Sequence, residues 1–183
     1  MVSKNCALEF LEHYHQEYGI KKFIFRLPTI YNYSPYQYYF PNGKKTMRPL
    51  YQMINKAMNG ETLEVWGDPS YSKDMVHVYD FSQMLCRAVV VDRNSGFYNV
   101  GTGMPVTLTE QITTIVDVFS PNDKRSKIAF CPDKPSTGGF LMDITNAKDE
   151  LGYVPQYDCR KLFEDYREEM KVNRFLELRQ MSL

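Results

Sequence analysis

Four cysteines, three histidines and a scatter of lysines are the side chains in this 183-residue chain that could hold a metal or a phosphate, or act as a thiolate. Spacing rules out most of these roles. Cys6, Cys86, Cys131 and Cys159 lie far apart and form no Cys-x-x-Cys pair. Zinc binding and dithiol exchange are therefore disfavoured, and reduced thiols in a cytoplasmic protein are expected. His13 and His15 are two apart and point to different sides of a helix. His77 sits in a strand-like run, where a packed or hydrogen-bonded ring is the ordinary role, so no metal site is expected. No Gly-x-Gly-x-x-Gly or Gly-x-x-x-x-Gly-Lys occurs, and Gly101-Thr102-Gly103 alone makes a turn rather than a phosphate cradle. Lys44, Lys45 and Arg48 cluster, but Lys plus Arg equals Asp plus Glu at 22 each. That balance gives no field for nucleic acid or an anionic membrane, and neither partner is expected. The aromatic run Tyr31 to Phe40 could stack on a sugar, or could cover a cleft while packing on itself; the second is slightly favoured.

The elements that must position these groups alternate helix and strand. Ala7, Leu8, Leu11, Tyr14, His15 and Tyr18 recur at helical spacing, with Gly19 as the stop. Lys22 to Arg26 reads as a strand, and Thr29 to Thr46 as a loop punctuated by Pro35, Pro41 and Asn42-Gly43. Helices are expected over Leu50–Met58, Asp80–Val91, Thr107–Phe119, Thr145–Leu151 and Arg160–Phe175, and strands over Leu63–Trp66, Met75–Val78, Gly96–Val100 and Lys127–Cys131. Thr107 followed by Glu110 has the form of a capping box. The pattern is that of an α/β protein. Hydrophobic residues at 43% support a packed core. No run reaches the length of a membrane span, and the start has no signal-peptide pattern.

Six segments in order resemble the C-terminal half of the extended short-chain dehydrogenase/reductases, the family that includes NAD-dependent nucleotide-sugar epimerases and dehydratases. They are Ser3-Lys4, Arg26 to Tyr31, Asn59 to Asp68, Lys73 to Asp80, Tyr98 to Gly101, and Asp143-Ile144 through Ala147 to Leu151-Gly152-Tyr153. The resemblance implies the C-terminal portion of a Rossmann-type fold with its small substrate-binding α/β domain, without the N-terminal nucleotide-binding half. Residues 1–30 would be a remnant helix and strand of the Rossmann domain. Residues 31–183 would be mainly the substrate domain, with elements returning to the Rossmann sheet.

What the resemblance implies for individual residues is specific. The family's catalytic pair is Tyr-x-x-x-Lys on one helix; the tyrosine moves a proton while hydride passes to or from NAD, and the lysine lowers its pKa and holds the cofactor ribose. Lys4 takes the lysine place, and the tyrosine position falls just before Met1. Leu27 and Pro28 would touch the nicotinamide. Thr29 would stand where many members place a substrate-contacting asparagine. Lys73 and Lys134 would replace two arginines that grip the substrate diphosphate, as point charges without the bidentate fork. Val65 and Trp66 would line the base pocket, or equally be core residues of an alternating strand.

Two functions are therefore expected as alternatives. The first is an enzyme acting on a nucleotide sugar through a keto intermediate, UDP-hexose 4-epimerase-like, with a 4,6-dehydratase or keto-sugar reductase close behind. On this reading the chain is a truncation, inactive and without bound NAD by itself. The second is a non-catalytic binding or oligomerisation module. The family dimerises through the helix that begins near Ser3, and bare apolar faces at Phe23 to Phe25 would add to self-association.

Overall fold

The computed structural model describes residues 2–135 and 138–172. The chain opens with helix α1 (Val2–Tyr18), none of whose residues is buried. It stops at Gly19, whose positive φ lets its N–H turn back to the His15 carbonyl. Strand β1 (Lys22–Arg26) follows, then β2 (Ile30–Tyr31), β3 (Tyr38–Tyr39), a short 3₁₀ turn at Pro41–Gly43, and β4 (Thr46–Met47). The Thr29–Thr46 loop therefore contains short pairings. Two-residue bridges carry no hydrophobic period, so sequence alone reads them as loop.

Helix α2 (Pro49–Met58) places proline in its first turn, where no intrahelical N–H is needed. After it come β5 (Leu63–Trp66), β6 (Ser72–Lys73), β7 (Val76–His77), α3 (Val78–Val90), β8 (Ser95–Asn99), β9 (Val106–Thr107), α4 (Leu108–Phe119), β10 (Ile128–Cys131), α5 (Thr145–Leu151) and α6 (Cys159–Lys171). The strand expected over Met75–Val78 ends at His77, because the His77 ring caps α3 by accepting from the Tyr79 N–H. Thr107 caps α4 by accepting from the Glu110 N–H at 3.0 Å. Of the helix expected over Arg160–Phe175, the part from residue 173 lies outside the described residues.

Strands pair in twos: β1 with β8, β2 with β7 and β5 with β10 are parallel, whereas β3 with β4 and β6 with β9 are antiparallel. The described chain builds two apolar cores and passes repeatedly between them. One gathers Ile54, Leu63, Val65, Ile112, Ile115, Leu162 and Phe163 between α2, α4, α6 and β5. The other gathers Met84, Tyr98, Val100, Leu151 and Tyr153, with Phe23 and Phe25 packed against it.

That packing corrects one expectation. Phe23 to Phe25 are half-buried, not bare: Phe23 stacks on Tyr98 and Phe25 meets the edge of Phe81. Their sheet neighbour Phe97, paired with Ile24, is exposed, and further exposed apolar side chains lie on α1 at Phe10, Leu11, Tyr14 and Tyr18 and at Val89 and Val90 at the end of α3.

Candidate functional site

A cavity of about 540 Å³ opens between β2, the start of α2, β6, α4 and α6. Its position follows from local pairing. Ile30 and Tyr31 pair with Val76 and His77, and Lys73 pairs with Val106 just ahead of α4. Lys73 is fixed further by its neighbour Asp74, which is 1% exposed. One Asp74 carboxylate oxygen accepts from the Thr102 N–H at 2.8 Å and the Thr102 hydroxyl at 2.9 Å; the other accepts from the Met142 N–H at 2.6 Å. The strand carrying Lys73 is thereby tied to two distant segments.

Thr29, Lys73 and Arg48 all line the cavity, and among the described residues no aspartate or glutamate does. The Lys73 ammonium lies 5.9 Å from the centre of the Tyr31 ring. The Arg48 Nε donates to the Tyr36 carbonyl at 3.1 Å. Neither cation has an ion-pair partner among the described residues. Two unneutralised cations facing an acid-free cavity suit an anionic ligand, with arginine adding a planar fork that lysine lacks.

The inner wall is aromatic and polar. The Tyr51 hydroxyl accepts from the Ser34 N–H at 3.2 Å, and its ring meets Tyr166 edge-on. Burial pushes the Tyr51 and Tyr166 phenols up, Tyr166 further because Tyr51 lies beside it. Gln111 is 2% exposed, and among the described residues its Oε1 has no hydrogen-bond partner; the Tyr166 hydroxyl, beside Tyr51, has none of hydrogen-bond geometry. The sequence reading missed Gln111, Tyr51 and Tyr166. The available signal was a polar side chain heading the otherwise buried stripe Gln111, Thr114, Ile115, Val118 on α4.

The other expected site residues lie elsewhere. Val65 is fully buried in the first core, as the alternation of β5 dictates, so of the pair expected at the base pocket only Trp66 is open, at 44%. Lys134 is not on the cavity. Its ammonium donates to Glu64 at 2.6 Å and lies 4.7 Å from the Trp66 ring centre, while the Trp66 indole N–H donates to the same Glu64 oxygen. Glu64 sits below its ordinary pKa because of the Lys134 and Trp66 hydrogen bonds, and Lys134 sits above its own because of Glu64.

Lys4 and Leu27 are exposed, Pro28 is half-buried, and none of the three lines this cavity or the smaller one beside Thr102 and Tyr153. A dinucleotide needs an enclosing cleft and backbone N–H groups for its diphosphate. Lys4, Leu27 and Pro28 do not form such a cradle by themselves.

His77 has a structural role. It is 1% exposed, stacks on Tyr157 at 4.0 Å, and places its Nε2 3.0 Å from Asp165. Burial holds the ring below its ordinary pKa against the opposing pull of Asp165. Asp80 accepts from the Gln156 and Tyr157 N–H groups, and burial raises its carboxyl. Among the described residues, no group of three or more His, Cys, Asp or Glu is placed to hold a metal, and no helix is long and apolar enough to cross a membrane.

Comparison with known proteins supplies the wider context. The NAD dependent epimerase/dehydratase family matches residues 1–101. A dTDP-glucose 4,6-dehydratase of Xanthomonas campestris is 28% identical over 163 residues, 85% of this chain and 44% of that protein. A UDP-glucuronic acid decarboxylase 5 of Arabidopsis thaliana is 27% identical over 176 residues, 93% of this chain and 48% of that protein. The crystal structure of a UDP-glucose 4-epimerase from Thermotoga maritima, with UDP-glucose, shares the fold at a TM-score of 0.70 and 22% identity, over 93% of this chain and 52% of that one. The chain thus spans about half the length of the relatives it matches.

Proposed function

Because the chain belongs to the NAD dependent epimerase/dehydratase family, with the α/β fold of the C-terminal portion of its Rossmann-type extended short-chain dehydrogenase members, we propose that it supplies the substrate half of a nucleotide-sugar-converting enzyme. The preferred reaction is UDP-hexose 4-epimerisation through a keto sugar, with NAD as cofactor. In this reading the cavity takes the nucleotide sugar. Lys73 neutralises the diphosphate and Thr29 offers its hydroxyl to the sugar, whereas Trp66 does not line the cavity and has the Lys134 ammonium over its ring. Lys4 is the lysine of the catalytic helix, and Leu27 and Pro28 border the nicotinamide. Residues 1–30 are the part that continues the nucleotide-binding domain, and most of residues 31–183 form the substrate domain.

The observation that carries this reading is the meeting of Thr29 and Lys73 on one cavity that no acid lines among the described residues. These 183 residues by themselves turn over no sugar nucleotide, since Lys4, Leu27 and Pro28 enclose no cofactor. A 4,6-dehydratase is the second reading, favoured by the similarity to dTDP-glucose 4,6-dehydratases of Xanthomonas and Actinoplanes. The exposed apolar side of α1 supports self-association as a homodimer.

Calorimetry of the purified chain with UDP-glucose tests the cavity; saturable heat is expected, and its absence contradicts the reading. Incubation of the same chain with UDP-glucose and NAD is expected to give no UDP-galactose, and turnover would overturn the inactivity. Sedimentation that finds only monomer at high concentration would overturn the dimer.

A further inference from the structure

Gln111 and Tyr166 raise a question that packing alone leaves open. Both are at least nine-tenths buried and both line the cavity; among the described residues the Gln111 Oε1 has no hydrogen-bond partner, and the Tyr166 hydroxyl has none of hydrogen-bond geometry, with Tyr51 lying beside it. An unpaired amide or hydroxyl in a protein interior costs stability, and buried polar groups are normally bonded. Gln111 heads a stripe completed by Thr114, Ile115 and Val118, where leucine would pack without that cost. Neither end of the Gln111 amide bonds to the protein among the described residues, so either orientation leaves a buried polar atom unpaired.

We propose that Gln111 and Tyr166 are specificity-determining residues of the cavity, which read a neutral hydroxyl or N–H on the ligand whose anionic part rests on Lys73 and Arg48. This rests on the reading that the cavity takes a nucleotide sugar. The amide carbonyl of Gln111 accepts the ligand's proton, and the Tyr166 hydroxyl, free to rotate, donates to an oxygen of the ligand. Burial keeps the phenol protonated and hence a donor. Arg48 supplies the second cation that Lys134 cannot, because Lys134 is held by Glu64 and Trp66 away from the cavity. Anion and neutral group are then bound at separate points of one cavity. That fixes the ligand's orientation, which a single charge contact does not.

The test is a pair of conservative variants, Gln111→Leu and Tyr166→Phe, in the full 183-residue chain, each followed by thermal melting and by titration with UDP and with UDP-glucose. Both variants are expected to melt at or above the wild-type temperature, because each removes an unpaired polar group. Each is also expected to bind UDP-glucose about tenfold more weakly, equivalent to about 1.4 kcal/mol. Loss confined to UDP-glucose places the contact on the sugar, and equal loss for UDP places it on the nucleoside; either supports the proposal. Unchanged affinity for both ligands, or clearly lowered melting in both variants, overturns it. Should wild-type chain bind neither ligand, while binding is also absent in Lys73→Met, the underlying reading of the cavity fails, and the proposal falls with it.

Discussion

Replacing Asp74 by alanine should weaken the whole molecule more than any other single polar change at the cavity edge. Three donors converge on this buried carboxylate: the Thr102 N–H, the Thr102 hydroxyl and the Met142 N–H. A hydrogen bond to a charged group contributes about 1.5–3 kcal/mol, and the donors left behind add their own desolvation cost. The two Thr102 bonds share one oxygen and do not add in full, so the expected loss is about 3–5 kcal/mol. For a chain of this size that corresponds to a fall of about 10 °C in Tm. Asp74→Asn keeps one acceptor oxygen for Thr102 and sets an NH₂ against the Met142 N–H, so it should cost about half as much. Urea denaturation at constant m-value measures both. A loss below about 1 kcal/mol for Asp74→Ala would show that the carboxylate is replaceable by water and does not tie Lys73 in place.

Other perturbations follow from the same geometry. Phe163 is fully buried in the first core, and Phe163→Ala should cost about 3–5 kcal/mol in the same urea assay. The folded His77 ring takes a proton less readily than the unfolded one, so the stability it contributes is present above its ordinary pKa of 6.5 and is lost as pH falls through that value. Asp80, raised from 3.8, works in the opposite sense and recovers some stability only at lower pH. Melting at pH 7, 6 and 5 should therefore drop more steeply in wild type than in His77→Gln, and equal slopes would contradict the assignment. Lys73→Met should weaken UDP binding at least tenfold, whereas Lys134→Met, which removes a cation already held by Glu64, should change it by less than threefold. Titration with UDP distinguishes them, and a larger effect at Lys134 would reverse the assignment.

How far the sequence carried the fold depended on period and on sequence distance. β1, β5 and α5 are legible to the residue, because four or more residues of consistent pattern lie between clear punctuation such as Gly19, Gly67 and Gly152. Of the two-residue strands only Val76–His77 is legible, inside the apolar run Met75–Val78; the others are not, because a bridge such as Lys73 with Val106 is made by partners 33 positions apart. For the site, motif order brought Thr29 and Lys73 to attention, and they do meet on one cavity. Lys134 and Val65 were given the same standing in sequence, yet Glu64 captures one and the pleat of β5 buries the other; both outcomes depend on side-chain direction across β5. Gln111, Tyr51 and Tyr166 join the cavity from three helices, a convergence that no local spacing encodes. Asp74 and Asp80 figure in the sequence reading as part of the Lys73 to Asp80 segment, and the incoming N–H groups of Thr102, Met142, Gln156 and Tyr157 account for their burial.

The most direct measurement is an NMR titration of the ¹⁵N-labelled 183-residue chain with UDP-glucose. Saturable shifts should concentrate at Thr29 to Ser34, Lys73 and Gln111, and should vanish in Lys73→Met. Shifts that are absent, or that gather on α1 and spare the cavity, would contradict its assignment as the sugar-nucleotide site.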